Sequence, residues 1–284
     1  MSKIAVVTDS TAYLPAELIK KYNLIVAPQV LIWGEETFQD GVDIQPDEFY
    51  TRLKTAKVMP TTSQVSIATM KTIFEELVEK GFDVLGIFIS SKLSGTIQSA
   101  IQAKEMMGKA SEKVTFVDSK STAMAMGFQV LTVARAIEDG ANLNDAVALA
   151  EKAREYTGVY FAVDTLEFLH RGGRIGGAQR FLGTALNMKP VLAVQDGRVE
   201  AVERIRTKSK ALERVLELVI EQTQGKTPIR LATLHASAEE EARTLLDKAT
   251  KELNATESII STVSPVVGTH AGPGTVGLAY MAGM

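Results

Sequence analysis

The chain contains no cysteine among its 284 residues. It therefore has no disulfide, no thiolate metal site and no cysteine nucleophile, and this composition fits a reducing compartment. The amino-terminal segment has only a four-residue apolar run before Thr8 and Asp9, which is too short for a secretory signal. No uninterrupted apolar stretch approaches the roughly 20 residues of a membrane-spanning helix. We therefore predict a cytoplasmic protein without an integral membrane segment.

Neither sign of charge is in clear excess. The chain has 31 Lys and Arg against 34 Asp and Glu, so its formal net charge is −3. This balance argues against nucleic acid as the main partner. Hydrophobic residues make up 45% and charged residues 23%, as in ordinary globular proteins, and the length suits one large domain or two ordinary ones.

The common signatures of nucleotide and metal chemistry are missing. There is no G-x-x-x-x-G-K-[ST], no H-E-x-x-H and no G-x-S-x-G. The three histidines, His170, His235 and His270, are not spaced as zinc ligands. Residues 272–277 read G-P-G-T-V-G and match G-x-G-x-x-G, but only seven residues follow, too few for the rest of a dinucleotide-binding unit. We expect a tight glycine turn there, then a short buried strand over 278–281.

Strand-like and helix-like patterns alternate through the first part of the chain. Short apolar runs at 4–7, 82–89 and 114–117 predict strands, as does the longer stretch 24–33. Apolar residues recur at helical spacing over 67–80, between two of these runs. An alternation of this kind predicts a largely parallel sheet that is covered by helices.

The pattern changes near residue 159. Apolar runs at 191–194 and 199–205 are joined through Asp196-Gly197, which predicts a β-hairpin. Further helix and strand patterns alternate up to residue 263. We predict an α/β protein of two domains. Residues 1–160 would form a largely parallel sheet flanked by helices, and residues 161–284 a second α/β domain with a mixed sheet.

Hydroxyl side chains follow the predicted parallel strands at residues 8–10, 90–96 and 118–122, and residues 60–64 add another group before a helix. Each group alone is explained by helix capping. Together they favour an anion-binding site, because ligands bind at the carboxyl edge of open α/β sheets and hydroxyls donate hydrogen bonds to anions. The glycine-rich run 169–176 adds a strongly cationic loop.

Six motifs then occur in order along nearly the whole chain. They are T-D-S at 8–10, P-T-T-S-Q at 60–64, L-S-G-T at 93–96, D-S at 118–119, F-L-H-R-G-G-R-I-G at 168–176 and G-T-H-A-G-P-G at 268–274. In this combination and spacing the sequence resembles the DegV family.

The resemblance implies a two-domain lipid-binding carrier of bacteria with a ligand site at the domain interface. Such a protein holds one long-chain fatty acid, such as palmitate, stearate or oleate, in an apolar tunnel and uses no cofactor. It is not itself an enzyme. It presents the carboxylate to a separate ATP-dependent fatty-acid kinase, and the acyl phosphate product is used in phospholipid synthesis. Transient contact with a membrane surface is compatible with this role.

The resemblance also implies roles for particular residues. Thr62 and Ser94 would bind the carboxylate, and His270 and Arg171 would lie near the same head group. Thr61 and Ser119 complete the predicted set of ligand contacts, which includes no catalytic residue and no metal ligand.

A cationic subset on this net-acidic chain is a candidate docking face for the kinase. It comprises Arg171, Arg174, Arg204, Arg206, Lys208 and Lys210.

Two other functions stay open at this point. The first is a small-molecule substrate domain like that of dihydroxyacetone kinases, in which His270 would bond covalently to a ketone in a small polar site. The second is a hydrolase with Ser94 as nucleophile, His270 as base and Asp9 or Asp118 as the orienting carboxylate.

Overall fold

A computed structural model describes residues 3–183 and 188–284 of the chain. The described residues form two main sheets, a small third sheet and the helices that cover them. The strands are β1 (Lys3–Asp9), β2 (Ile25–Ala27), β3 (Val30–Trp33), β4 (Glu36–Gln39), β5 (Thr61–Ser63), β6 (Phe82–Phe88), β7 (Val114–Asp118), β8 (Thr157–Ala162), β9 (Lys189–Gln195), β10 (Arg198–Ile205), β11 (Ile229–His235), β12 (Glu257–Thr262) and β13 (Val276–Ala282). The α-helices are α1 (Ala16–Lys21), α2 (Pro46–Leu53), α3 (Ile67–Glu79), α4 (Thr96–Glu105), α5 (Ala123–Glu138), α6 (Leu143–Ala153), α7 (Glu167–Arg171), α8 (Lys208–Thr223), α9 (Glu239–Leu253) and α10 (Pro265–Ala271).

The first sheet is parallel throughout, in the order β2-β1-β6-β7. Successive side chains of a strand point to opposite faces, so this sheet contributes to two cores. Ala5 and Val7 of β1 pack with helices α3 and α4, whereas Val6 packs in the core that contains α5 and α6. This arrangement confirms the predicted parallel sheet with helices on its faces.

The second sheet has six strands in the order β10-β9-β8-β13-β11-β12. Its neighbours are antiparallel except for the parallel pair β11 and β12, so the predicted mixed sheet is confirmed. Helices α8 and α9 cover one face. Helix α5 packs on the other face and also contacts β1 and β6 of the first sheet. Residues 123–131 of α5 are all buried, as expected for a helix that lies between two layers.

The stretch 24–33, which we predicted as a strand, is instead two strands in different sheets. Strand β2 pairs in parallel with β1, and β3 pairs antiparallel with β4 and β5 in the small sheet. Pro28 lies between them and has no N–H to donate to a ladder, so the strand ends there. Leu31 of β3 is the register partner of Thr62 in β5.

Two predicted loops contain short helices. Arg171 is the last residue of α7, and His270 lies in the last turn of α10. The glycine turn begins only after α10, where Gly272 and Gly274 have φ values of +79° and +78°. A strand, β13, follows this turn in place of the helix that a dinucleotide fingerprint requires.

Residue 160 lies within β8, which belongs to the second sheet together with every later strand. The division of the chain into domains at this residue stays a prediction. No helix within residues 3–183 and 188–284 is both long enough and apolar enough to cross a membrane.

The turn of the β9–β10 hairpin contacts Ser90, which follows β6 of the first sheet. The sequence predicts the turn itself but not this contact. Asp196 and Gly197 both have positive φ, 48° and 82°, which suits a two-residue hairpin turn. The buried Ser90 hydroxyl donates a hydrogen bond of 2.6 Å to the carbonyl of Gly197. A Cβ atom at Gly197 would collide with this hydroxyl.

Replacing Gly197 with alanine is expected to lower the free energy of unfolding by about 2–4 kcal/mol, from backbone strain and loss of the Ser90 contact. Gly34→Ala is the matched control, because Gly34 also has a positive φ of +66° but has open space around it. It should cost only the strain, about 1 kcal/mol. Urea unfolding of both variants measures the difference. Equal losses would show that the Ser90 contact contributes nothing.

Candidate functional site

A cavity lies where the two main sheets meet. It spans an empty volume of about 820 Å³, part of which is open solvent. The end of the first sheet, the start of α5 and the inner face of the second sheet form its walls. The apolar side chains on the wall include Val159, Phe161, Val194, Leu234 and Val263.

The alternation of β8 explains the apolar wall. Val159 and Phe161 are two residues apart, so both point to the face that lines the cavity. Tyr160, between them, packs into the opposite core under α8 and α9. The second sheet is therefore apolar on both faces, and one of these faces is left partly uncovered at the cavity.

Thr62 and His270 form a hydrogen-bonded pair on the cavity wall. The Thr62 Oγ1 and His270 Nε2 atoms are 2.7 Å apart, although the residues are 208 positions apart in sequence. Thr62 stands in the middle of β5, and His270 in the last turn of α10, which packs on β5. A side chain at Gly172 would collide with the His270 ring, so a glycine there lets α7 and α10 approach.

The His270 imidazole is neutral at neutral pH. Burial, which is the larger cause, and the nearby Arg174 guanidinium together lower its pKa from 6.5 to about 4. Its Nδ1 atom is buried and has no hydrogen-bond partner among the described residues. The pair therefore offers an uncharged polar group to a ligand.

Ser94 lines the same cavity from the loop between β6 and α4. Its Oγ lies 3.0 Å from the hydroxyl of Thr96 and 3.4 Å from Oε1 of Gln29. Gln29, which is buried, also lines the cavity. Nothing in the sequence singles out Gln29, because the single strand predicted over 24–33 places it inside a strand. In the structure it lies next to Pro28, in the connection between two sheets.

Arg174 joins two loops at the edge of the cavity. Its Nε donates a hydrogen bond of 3.1 Å to the carbonyl of Leu93, and Nη1 donates one of 2.8 Å to the carbonyl of Gly172. With Thr62 and His270 it also lines a second, outer pocket. These three residues thus stand between the apolar cavity and the outer pocket.

The remaining predicted site residues lie elsewhere. Thr61 and Arg171 line the outer pocket and not the cavity, and Arg171 is half-exposed and paired with Glu167 at 2.5 Å. Ser119 is buried in a separate turn, where its hydroxyl donates to the carbonyl of Ser121. The structure therefore brings Thr62, Ser94 and His270 to one cavity but does not bring Ser119 there.

A hydrolytic triad is not assembled within the described residues. Ser94 bonds to Gln29 and Thr96, and no hydrogen bond joins it to His270. Asp9 is occupied by Thr11, Gln29 and the N–H of Ile89, and Asp118 by residues of its own turn and by Ser91. The same described residues contain no group of three or more His, Asp or Glu side chains that could hold a metal ion.

The pKa of His270 gives a direct test of its burial. We expect a ring titration near pH 4 in the folded protein by NMR, and a higher pKa in Arg174→Gln that still lies below 6.5, because burial is the larger cause. The unfolded chain takes up this proton near pH 6.5 and the folded protein only near 4. This contribution to stability is therefore complete above pH 6.5 and is lost as the pH falls towards 4.

Arg214→Gln is the control for that titration, because Arg214 lies on α8 and bonds to glutamates on the far side of the second sheet. It should leave the His270 pKa unchanged. A wild-type value at or above 6.5 would contradict the burial argument.

Comparison with known proteins shows what this architecture is similar to. The chain matches the sequence profile of the DegV family over residues 3–283. It is 37% identical to a DegV family protein from Thermus thermophilus that binds fatty acid. The two structures have a TM-score of 0.92, and 99% of each chain is covered. It is 34% identical to DegV of Bacillus subtilis, described as a fatty acid binding protein, with a TM-score of 0.90 and 99% and 100% covered. A stearic acid-binding protein from Eubacterium ventriosum is 26% identical, with a TM-score of 0.91 and 99% and 98% covered. The chain belongs to the DegV family.

Proposed function

We propose that this protein binds one long-chain fatty acid, with the acyl chain in the apolar cavity and the carboxylate at Thr62 and Ser94. The observation that carries the proposal is the cavity itself, a mostly apolar space whose wall holds the Thr62–His270 pair and Ser94. The fatty-acid binding of the similar structures supports the same ligand class.

Burial of the acyl chain supplies most of the affinity. Each buried methylene contributes about 0.8 kcal/mol, so some 15 methylenes give roughly 12 kcal/mol before costs. Loss of translational and rotational freedom and ordering of the chain reduce this figure to a net affinity in an ordinary range. The head-group contacts then serve mainly to hold the carboxylate in place.

The hydrogen-bond donors suit a carboxylate that must stay reactive. A carboxylate accepts hydrogen bonds, so the Thr62 hydroxyl donates to it and receives a hydrogen bond from Nε2 of neutral His270. Arg174, the nearest cation of the cavity wall, is already bonded to the carbonyls of Leu93 and Gly172. Neutral donors of this kind position the oxygen without the strong pairing that would make it a poorer nucleophile.

The cavity also bears on the two alternative functions. A triose site would be polar, whereas this space is lined mostly by apolar side chains. The hydrolase alternative lacks a hydrogen bond from Ser94 to a base among the described residues. Both observations favour the lipid carrier.

We further propose that the carrier presents the carboxylate to a separate ATP-dependent fatty-acid kinase through the outer pocket. Arg171 and Arg174 line this pocket, and Arg206 is exposed at the start of α8. Among the described residues, Arg206 makes no ion pair that would neutralise it. We propose that these three cations help the net-acidic chain to dock on an acidic partner or a phosphoryl group.

Fatty-acid binding is tested by native mass spectrometry and lipid extraction of the purified protein. One fatty acid per chain is expected. Thr62→Ala and Ser94→Ala should still bind palmitate, with an affinity reduced about tenfold by loss of one charge-assisted hydrogen bond. Thr37→Ala, an exposed threonine of the same small sheet, is the control and should bind as wild type. A wild-type protein that binds neither palmitate nor oleate would refute the proposal.

Docking to the kinase is tested by charge reversal. Arg171→Glu and Arg206→Glu should each slow acyl phosphate formation at least tenfold with purified kinase and ATP, while palmitate affinity is unchanged. Lys113→Glu is the control, because Lys113 precedes β7 at the amino edge of the first sheet, away from the cavity. Unchanged rates in both arginine variants would remove the proposed docking surface.

A further inference from the structure

The carboxylate of Asp9 lies behind the cavity and is completely buried at the end of β1. Its Oδ1 accepts hydrogen bonds from the N–H and hydroxyl of Thr11 and from the side-chain amide of Gln29, at 3.0, 2.6 and 3.2 Å. Its Oδ2 accepts from the N–H of Ile89 at 2.8 Å. Burial raises the pKa of this carboxyl, but every neighbour is a donor, and these donors favour the ionised, acceptor-only form.

This carboxylate decides which way the Gln29 amide faces. An ionised carboxylate has no proton to donate, so the Gln29 atom beside it must be Nε2, and Oε1 must point away from it. Oε1 is then the atom that faces Ser94, at 3.4 Å. The Gln29 backbone is also held on both sides, because its N–H donates to the Ser10 hydroxyl and its carbonyl accepts from the N–H of Asp40.

The orientation of Gln29 in turn decides the role of the Ser94 hydroxyl. Among the described residues, Ser94 is the group that donates to Gln29 Oε1, and without its proton this buried oxygen would lack a donor. The Thr96 hydroxyl, at 3.0 Å, and the Thr96 N–H then donate to the Ser94 oxygen. The Ser94 proton is therefore directed at Gln29 Oε1, which also lies on the cavity wall, through a long hydrogen bond of 3.4 Å. A carboxylate oxygen in the cavity is the stronger acceptor and takes over this proton.

We propose that Asp9 is a positioning residue of the head-group site: through Gln29 it keeps Ser94 as a hydrogen-bond donor towards the carboxylate of the ligand. This inference rests on the proposed fatty-acid binding and assigns a function to the T-D-S motif. With the opposite amide orientation, Gln29 would donate to Ser94. The Ser94 proton would then turn to Thr96, and a lone pair would face the carboxylate.

The experiment follows the carboxyl resonance and the affinity of [1-¹³C]palmitate bound to a set of variants. Asp9→Asn removes the fixed acceptor, so both amide orientations of Gln29 become populated. We expect palmitate affinity to fall by about two- to tenfold, no more than in Ser94→Ala. The carboxyl resonance should move towards its position in Ser94→Ala. Asp118→Asn is the control, because Asp118 ends β7 of the same sheet, accepts analogous hydrogen bonds from Lys120 and Ser91, and lies outside the cavity wall.

Gln29→Met separates positioning from a structural effect. Alone it should keep the affinity within about threefold of wild type, because Ser94 still donates to the ligand. If Asp9→Asn does not fold, the affinity of Gln29→Met compared with that of Ser94→Ala tests the inference by itself. Combined with Asp9→Asn, it should restore part of the lost affinity, since no flipped amide then competes for Ser94. A merely structural role for Asp9 predicts no such restoration.

The outcomes distinguish this inference from the proposed function. A wild-type protein that binds no palmitate would overturn the proposed function and the inference that rests on it. Palmitate binding by wild type with an unchanged carboxyl resonance in Asp9→Asn would overturn the inference alone. A loss in Gln29→Met as large as that in Ser94→Ala would also overturn it, because Gln29 would then be a direct donor to the carboxylate.

Discussion

The burial of helix α5 between the two main sheets is the constraint on which the rest of the structure depends. Residues 123–131 of this helix are all buried, so water must be excluded from them on every side, and both sheets contribute apolar side chains to that end. Its amino-terminal end, with Thr122 and Ala123, lines the cavity. The cavity is apolar along most of its wall, and its polar groups come from loops that follow the strands, from β5 and from α10.

The chemistry of the site follows from its distance from water. Burial keeps His270 neutral, so the cavity wall offers hydroxyl and imidazole donors beside Arg174, whose guanidinium is bonded to the carbonyls of Leu93 and Gly172. The buried carboxylates are set behind the wall. Asp9 holds Gln29, and Asp40 accepts a hydrogen bond of 3.1 Å from the N–H of Val266 at the start of α10, the helix that carries His270. Asp40 is buried, and this burial raises its pKa to about 6.

Much of the fold could be predicted because its signals are local. The short apolar strands of the first sheet and the Asp196-Gly197 hairpin were predicted correctly, since strand and turn propensities act over a few residues. The prediction of one strand over 24–33 was wrong because a single proline separates two strands, and these strands pair with different partners that are distant in sequence. The prediction for the segment around His270 was incomplete. Its glycines indicate a turn, whereas Pro265 and the packing of α10 on β5 make the residues before that turn helical.

The site shows the same division between local and long-range information. The sequence by itself determined the residue types that can hold an anion, the parallel order that places them at one edge of a sheet, and membership of a family by motifs in a fixed order. The local pattern could not rank Ser94 above Ser119, as the family resemblance did, because both follow a parallel strand in a hydroxyl-rich turn and differ only in what lies opposite. The tertiary structure decided that Ser94 faces an apolar cavity and Ser119 its own turn, that Thr62 meets His270, and that Gln29 stands between Asp9 and Ser94. These contacts depend on how separate sheets pack, and side-chain packing between distant segments leaves no periodic pattern in the chain.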